Sequence, residues 1–420
     1  MTRILSCCLC LLLPLRGLTA DSSSSVDLGI ACQKEALANS LRCLETIQGD
    51  GERIARTRNF VAENLAYFGN EEMAISVLRA SRPHYRIPSG CVDAAMVFLG
   101  HGQRSAVRQL LGLALDLLPF AAGRGAELVQ FQILRIATVT GDTEALQRAW
   151  EAKKLTQTDL SRAYQAFLQD WQPNLLNSIL DRLFPDRQWR GLQAKANRDE
   201  EIAWKAERAV DFYSGLLFLR EAEARVQAGQ PYPGSWVRFV EAGIRSPAIN
   251  TRPAELNAEL AKLAVLEKRS QAALDLVEEA WGLLGSWAPQ MTGIYPIERD
   301  LTVLLAAIPE GAPKRNEATE RIRKRSDILR KHLDPYEQIL QLPYLAEAFQ
   351  VLGARAQAQE AWKTAAELCA QNQNPESQSI GLTRIWMSYA RANTWPDKET
   401  EALLLKTEKQ LPEAYSKVNF

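Results

Sequence analysis

The sequence predicts an all-α chain built as an α-solenoid, with antiparallel helix pairs stacked pair upon pair and a bend near the middle. Three observations carry this. Large apolar residues recur at three- and four-residue intervals between charges, as in AYQAFLQDWQPNLLNSILDRLF (163–184) and ELAKLAVLEKRSQAALDLVEEAWGLL (259–284), which is the period of a helix with one buried face. Turn signals punctuate these stretches at Gly69-Asn70, Gly141-Asp142, Gly229-Gln230-Pro231 and Pro309 through Pro313, and strand-like alternation is scarce. Finally, Ala358, Trp362 and Ala365 stand 12, 16 and 19 positions after Ala346, and that spacing recurs along the chain. The 420 residues are 46% hydrophobic, enough for an extensive core, so helices of roughly 12 to 18 residues are expected from about 26 to 415.

The first 20 residues read as an export signal. Arg3 gives a positive start, Ile4 to Leu15 is apolar apart from Ser6 and Pro14, and Leu18-Thr19-Ala20 places small residues before polar Asp21. The run is shorter than the roughly 20 apolar residues a bilayer span needs, and no later segment reaches that length without charges. The expectation is cleavage after Ala20, a short polar linker at 21–25 and a mature chain that is periplasmic or secreted, not membrane-spanning, with envelope association open to it. Of seven cysteines, Cys32, Cys43, Cys91 and Cys369 lie beyond the signal. An oxidising compartment permits a bridge, but eleven residues of straight helix separate Cys32 and Cys43 by about 16 Å, so buried free thiols are expected.

The repeat begins at Ala62, Leu65, Gly69, Ala74, Leu78 and Ser81. It continues at Ala94, Val97, His101, Ala106 and Leu110, then more weakly at Ile133, Ile136, Thr140, Ala145, Ala149 and Ala152. Asp199, Glu200 and Glu201, followed by Glu207 and Asp211, read as an acidic helix start suited to the positive end of the helix dipole. Between 230 and 253, Pro231, Pro233, Pro247 and Pro253 flank Trp236, Val237, Phe239, Val240 and Ile244. This is where the bend is expected, dividing an N-terminal half at 26–229 from a C-terminal half at 230–420, with the apolar run packed. Another copy stands at Ala261, Ala264, Lys268, Ala273, Val277 and Ala280, and a longer loop at 285–298 holds Trp287, Met291 and Tyr295.

The segment 313–332 is rich in base, and on one helix Arg321, Lys324, Arg325 and Lys331 form a stripe, a candidate contact for an anionic partner. The clearest copy is YLAEAFQVLGARAQAQEAWKTAAELCA (344–370). Ala346 and Phe349 lie on its first helix, Gly353 ends that helix, and Ala358, Trp362 and Ala365 face back from the second. Small residues at such a crossing let the axes approach closely while the aromatic fills the adjoining gap.

These offsets resemble those of the tetratricopeptide repeat, a helix-turn-helix unit, over perhaps a third of the chain. Leu113 stands where that family prefers a small residue, and 153–250 holds no good copy. The resemblance implies a superhelix whose groove, lined by the first helix of each pair, takes a protein segment. On the matched copies the groove positions are Arg56, Asn59, Glu63, Ala66 and Tyr67; Glu255, Ala258, Lys262, Val265 and Leu266; and Leu340, Pro343, Glu347, Gln350 and Val351. Asn59, Glu63, Tyr67, Lys262, Glu347 and Gln350 are the polar candidates among them. The Lys and Asn set that clamps a peptide carboxyl terminus in chaperone-binding members of the family is absent.

No catalytic motif stands out. There is no phosphate-cradling loop, G-x-S-x-G elbow or H-E-x-x-H, and His84, His101 and His332 are not at metal-ligand spacing. No catalytic residue, cofactor or metal is assigned. With Lys+Arg and Asp+Glu both at 50, no global field favours nucleic acid, and the basic stripe lacks a stacking platform. The favoured reading is an exported, non-catalytic scaffold for a protein partner. Its rival is a carbohydrate-active α/α-toroid using two carboxylates, although Trp150, Trp204, Trp281 and Trp362 lie at core spacing.

Overall fold

The computed structural model describes residues 23–47, 51–81, 84, 86–121, 123–152, 212–245, 252–285, 287 and 291–416. The export segment, the 163–184 stretch and the acidic run at 199–211 lie outside the described residues. Among the described residues there are 17 α-helices and no strand. The chain divides into two compact units: Gly51–Glu259, and Leu260–Phe420 together with the N-terminal part up to Asp50.

The first unit contains α1's successors in order: α2 (Glu52–Tyr67), α3 (Glu71–Arg79), α4 (Ile87–Gly100), α5 (Arg104–Leu117), α6 (Gly123–Thr140), α7 (Thr143–Glu151), α8 (Phe212–Gln227) and α9 (Gly234–Arg245), α1 itself being Ser23–Glu45 of the other unit. Neighbouring helices pair, α2 with α3, α4 with α5 and α6 with α7. First helices also pack on first helices (α2 on α4, α4 on α6) and second on second (α3 on α5, α5 on α7), so the pairs form two rows. This is the α-solenoid arrangement. α4 meets α2, α3, α5, α6 and α8, which explains why it is buried along nearly its whole length and apolar on all sides. The proline-flanked segment packs as expected, with Trp236 and Val240 buried and Phe218 stacked 5.9 Å from Trp236.

The second unit continues through α10 (Pro253–Leu266), which straddles the division, then α11 (Ser270–Gly285), α12 (Ile294–Ala307), α13 (Arg315–His332), α14 (Pro335–Val351), α15 (Arg355–Gln371), α16 (Pro375–Arg391) and α17 (Lys398–Ser416). Here α12, α14 and α16 form one row, and α15 packs on α17. Ala358, Trp362 and Ala365 are fully buried. The Trp362 indole stacks on Tyr389 at 4.4 Å and donates to Ser388 Oγ at 2.9 Å. α1 lies antiparallel on α16: Gln33 donates to the Ala390 carbonyl at 3.1 Å and Ser40 to that of Thr383 at 2.8 Å. Close approach within the row depends on Gly381, where a Cβ would fall 2.7 Å from Ile339 of α14 and 2.8 Å from the Cys369 sulfur of α15.

One turn joins most pairs. At Gly69 the chain enters the left-handed region, the Gly69 amide donates to Ala66, and the Asn70 amide donates back to Leu65. This double bond satisfies carbonyls at the helix end. It recurs at Gly102, Gly141, Gly229, Lys268, Gly353 and Asn393. In the second and third copies the turn residue stands one place beyond His101 and Thr140, so their register begins at Ala95 and Leu134. The Gly229 and Asn393 turns add two copies that residue spacing did not reveal. Between α12 and α13 a short 3-10 segment, Pro309–Lys314, replaces the turn.

Cys43, Cys91 and Cys369 are buried free thiols and Cys32 is partly exposed. Burial raises the Cys369 thiol to about 12. Among the described residues no helix is long and apolar enough to cross a membrane.

Candidate functional site

The polar groove candidates fall in different surroundings. On α2, Tyr67 is exposed, Glu63 is half-buried, and Asn59 donates to the Arg86 carbonyl at 2.9 Å. Lys262 on α10 and Gln350 on α14 are half-buried, whereas Glu347 is buried.

The basic stripe on α13 is split. Lys324 and Lys331 are exposed, but Arg321 and Arg325 turn toward Glu298 of α12, whose side chain is fully buried. Arg321 Nε lies 3.3 Å from both oxygens of Glu298, and Arg325 Nη2 lies 3.2 Å from Oε1. Arg321 also donates Nη2 to the Trp281 carbonyl at 2.8 Å. Two guanidinium groups thus share one carboxylate and a carbonyl, an arrangement that satisfies a buried charge.

Arg299, the next residue on α12, belongs to a second cluster. Its guanidinium lies 5.9 Å from the Tyr344 ring centre, and that of Arg391 on α16 lies 5.6 Å from the same ring. Arg384, also on α16, reaches the Tyr344 hydroxyl at 3.5 Å. One turn along α14, Glu347 Oε2 is 3.2 Å from Arg391 Nε and 3.7 Å from Arg299 Nε. Arg299 Nη1 is 3.0 Å from Asp300. Burial raises the Glu347 carboxyl to about 8; Arg299 and a hydrogen bond with Ser388 oppose the rise, and Asp300 adds to it. Arg391 has a side chain nine-tenths buried, and its Nη2 has no hydrogen-bond partner among the described residues.

The unit Gly51–Glu259 carries acid-rich clusters on its first helices. On α4, burial raises half-buried Asp93 to about 7, nearby Glu63 adds to this, and Arg252 and Ser89 oppose it. Tyr213 of α8 is raised by burial and then by Asp93. Arg252 lies 4.7 Å over the Phe212 ring and pairs with Glu255 at 3.1 Å. Deeper, burial works against the charge of Arg220, but Glu223 and Glu259 outweigh it at 3.0 and 2.7 Å. Arg104 and Arg225 meet Glu221 at 2.9 and 3.1 Å.

Two open clefts lie on the second-helix row instead, lined by Glu71, Glu72, Arg79 and Gln109 and by Arg108, Asp142, Glu144 and Arg148. Their groups are largely engaged, Gln109 with Glu71 at 2.7 Å and Arg148 with Asp116 at 2.6 Å. Among the described residues, no group of three or more His, Cys, Asp or Glu has a metal-holding arrangement.

No protein-family model matches the chain, and no curated protein does. Among solved structures, the chain is similar to a circular tandem repeat protein with novel repeat topology and enhanced subunit contact surfaces. The identity is 15% over 93% of this chain and 96% of that chain, with a TM-score of 0.17. At that score the likeness adds nothing to the helix rows and recurring turns of the chain itself.

Proposed function

We propose that this protein is an exported, tetratricopeptide-like scaffold that holds a segment of a protein partner along its first helices. The observation that carries this reading is the side-by-side packing of first helices within each unit, α2 on α4 and α4 on α6, and α12 on α14 and α14 on α16. Such rows present polar side chains at regular intervals, which suits an extended segment. A photo-crosslinking residue placed at Tyr67 or Gln350 in the native cells tests it, with Glu360 on the second-helix row as control. Discrete protein adducts from the first-helix positions alone are expected; no adduct, or equal labelling from Glu360, overturns it. Amino-terminal sequencing of the purified protein is expected to begin at Asp21, and a retained Met1 contradicts export with cleavage.

The carbohydrate-active reading retains one supporting observation. Asp93 is raised to about 7 beside a second carboxylate, Glu63, and two neighbouring carboxyl groups, one of them raised, are the kind of pair that glycoside hydrolysis uses. Under that reading Asp93→Asn abolishes release of reducing sugar from cell-wall glycan, whereas under the scaffold reading the wild type releases none.

A further inference from the structure

The first-helix row of the unit Gly51–Glu259 is not bare. A Cβ added at Gly100 of α4 would fall 2.9 Å from both Arg220 Cδ and Glu223 Oε2, so α8 lies directly against α4 there. Two turns earlier on the same face of α4, Asp93 acts on Tyr213, which stands seven residues before Arg220 on α8. The two helices therefore run parallel, with residue 93 beside 213 and residue 100 beside 220. Tyr67 of α2 also acts on Arg220, and Gln132 of α6 acts on Tyr213. Three successive first helices thus converge on one helix of the same chain, seated as a helix is when laid into a groove.

α8 meets α4 and α9 with different faces. Toward α4 it turns Tyr213, Arg220 and Glu223. Toward α9 it turns Phe218 and Arg225: the Phe218 ring is 5.1 Å from Phe239 and 5.9 Å from Trp236, and the Arg225 guanidinium is 5.0 Å from the Trp236 ring. The hairpin of α8 and α9 thus has an aromatic contact of its own that does not involve α4. Its hold on the rest of the unit includes ion pairs, Arg104 with Glu221 at 2.9 Å and Arg220 with Glu259 at 2.7 Å. Another helix carrying the same charges would replace these pairs like for like, without leaving a buried charge unmatched.

We propose that the first-helix face formed by α2, α4 and α6 is a docking site for an amphipathic helix of a protein partner, and that α8 is its built-in occupant. The proposal rests on the scaffold reading and changes the segment held by this unit from extended to helical. The partner helix would carry an aromatic residue, an arginine seven residues on and a glutamate three beyond that, as α8 does at Tyr213, Arg220 and Glu223. A tethered occupant acts at an effective concentration on the order of millimolar. The wild-type protein therefore binds such a helix weakly, and loosening α8 strengthens binding.

The test is fluorescence anisotropy of a labelled peptide of this chain's own Phe212–Gln227 with the whole mature protein. One substitution should act in opposite directions according to where it is made. Arg220→Gln in the protein loosens the resident helix and should tighten peptide binding about tenfold, whereas Arg220→Gln in the peptide should weaken binding to that variant about tenfold. Adding Gly100→Val to the protein variant crowds the seat of residues 220 and 223 and should weaken binding by a similar factor. Adding Lys363→Gln instead, on α15 of the other unit, should leave it within about twofold. Circular dichroism shows whether the Arg220→Gln protein folds; should it not, Tyr213→Ala takes its place.

Failure of both variants to fold overturns the proposal, because a helix that can be displaced is not indispensable to its own seat. So does binding to the loosened protein that is absent or no tighter than to the wild type, and so does a peptide indifferent to its own Arg220 or to Gly100→Val. Adducts from Tyr67 or Gln350 without peptide binding sink this proposal and leave the scaffold reading standing. Peptide binding without adducts supports the docking face and removes the scaffold reading.

Discussion

Glu298 and Glu347 are both buried glutamates within reach of two arginines, and they are held in different ways. Glu298 uses both oxygens, meets Arg321 and Arg325 at 3.2 to 3.3 Å, and its partner Arg321 finds a further acceptor in the Trp281 carbonyl. Glu347 offers one oxygen, at 3.2 and 3.7 Å, to arginines that also crowd a tyrosine. The first corner is a closed ion cluster that fixes α13 against α12. The second, between α12, α14 and α16, leaves Nη2 of Arg391 without a hydrogen-bond partner among the described residues. The two corners differ less in the number of arginines than in how their donors are matched to acceptors.

The largest expected effect is on the clamp. Glu298→Ala strands Arg321 and Arg325, of which Arg325 is mostly buried, and should cost about 3 to 5 kcal/mol in chemical denaturation. A loss below about 1 kcal/mol would mean that the two corners are equivalent after all.

Next comes pH. Folded Glu347 and Asp93 bind protons more tightly than in the unfolded chain, with values raised to about 8 and about 7 from 4.5 and 3.8. The folded state therefore holds more protons between those limits, and stability falls as pH rises from about 4 to 8. For Glu347 the decline is on the order of 4 kcal/mol. Glu347→Gln should remove that part of the slope while costing less than about 1 kcal/mol at pH 6, where the wild-type carboxyl is still protonated. Denaturation midpoints of both proteins across this range check it; parallel curves would contradict the assignment.

Smaller still is Gly381→Ala. The added methyl meets Ile339 and Cys369 and should cost about 1 to 3 kcal/mol by overpacking. It should also disturb Arg384 and Arg391, which share α16, more than the Glu298 clamp. The smallest effect touches neither corner. Lys268 occupies a left-handed turn with φ 61°, where glycine stands in most copies, so Lys268→Gly should raise stability by about 0.5 to 1 kcal/mol. A lower melting temperature would show that the lysine stem has packing of its own.

What could be read from the sequence was what is local. Helix periodicity and the small-aromatic-small spacing around Trp362 depend on residues within about 20 positions of each other. They identified the helix pairs and placed the Lys268 and Gly353 turns correctly. The spacing was one residue early at Gly102 and Gly141, because Ala94 and Ala95 are both buried and an apolar template fits either register. Packing between distant segments left no such trace. α1 on α16 joins residues more than 300 apart, and Arg299, Arg384 and Arg391 belong to no motif until α12, α14 and α16 lie side by side. Glu347 was visible as a first-helix position, but its arginines were not. The stripe on α13 was visible as a pattern of charge, yet Glu298, which takes up Arg321 and Arg325, comes from the preceding helix.

The distinction between the two corners meets its most direct test in the carboxyl of Glu347 itself. A carbon-13 NMR titration of protein labelled at glutamate side chains, with the resonance assigned by its loss in Glu347→Gln, reads that group alone. A midpoint near 8 is expected. A midpoint at or below the ordinary glutamate value of about 4.3 would mean that Arg299 and Arg391 are fully matched by Glu347, and would contradict it.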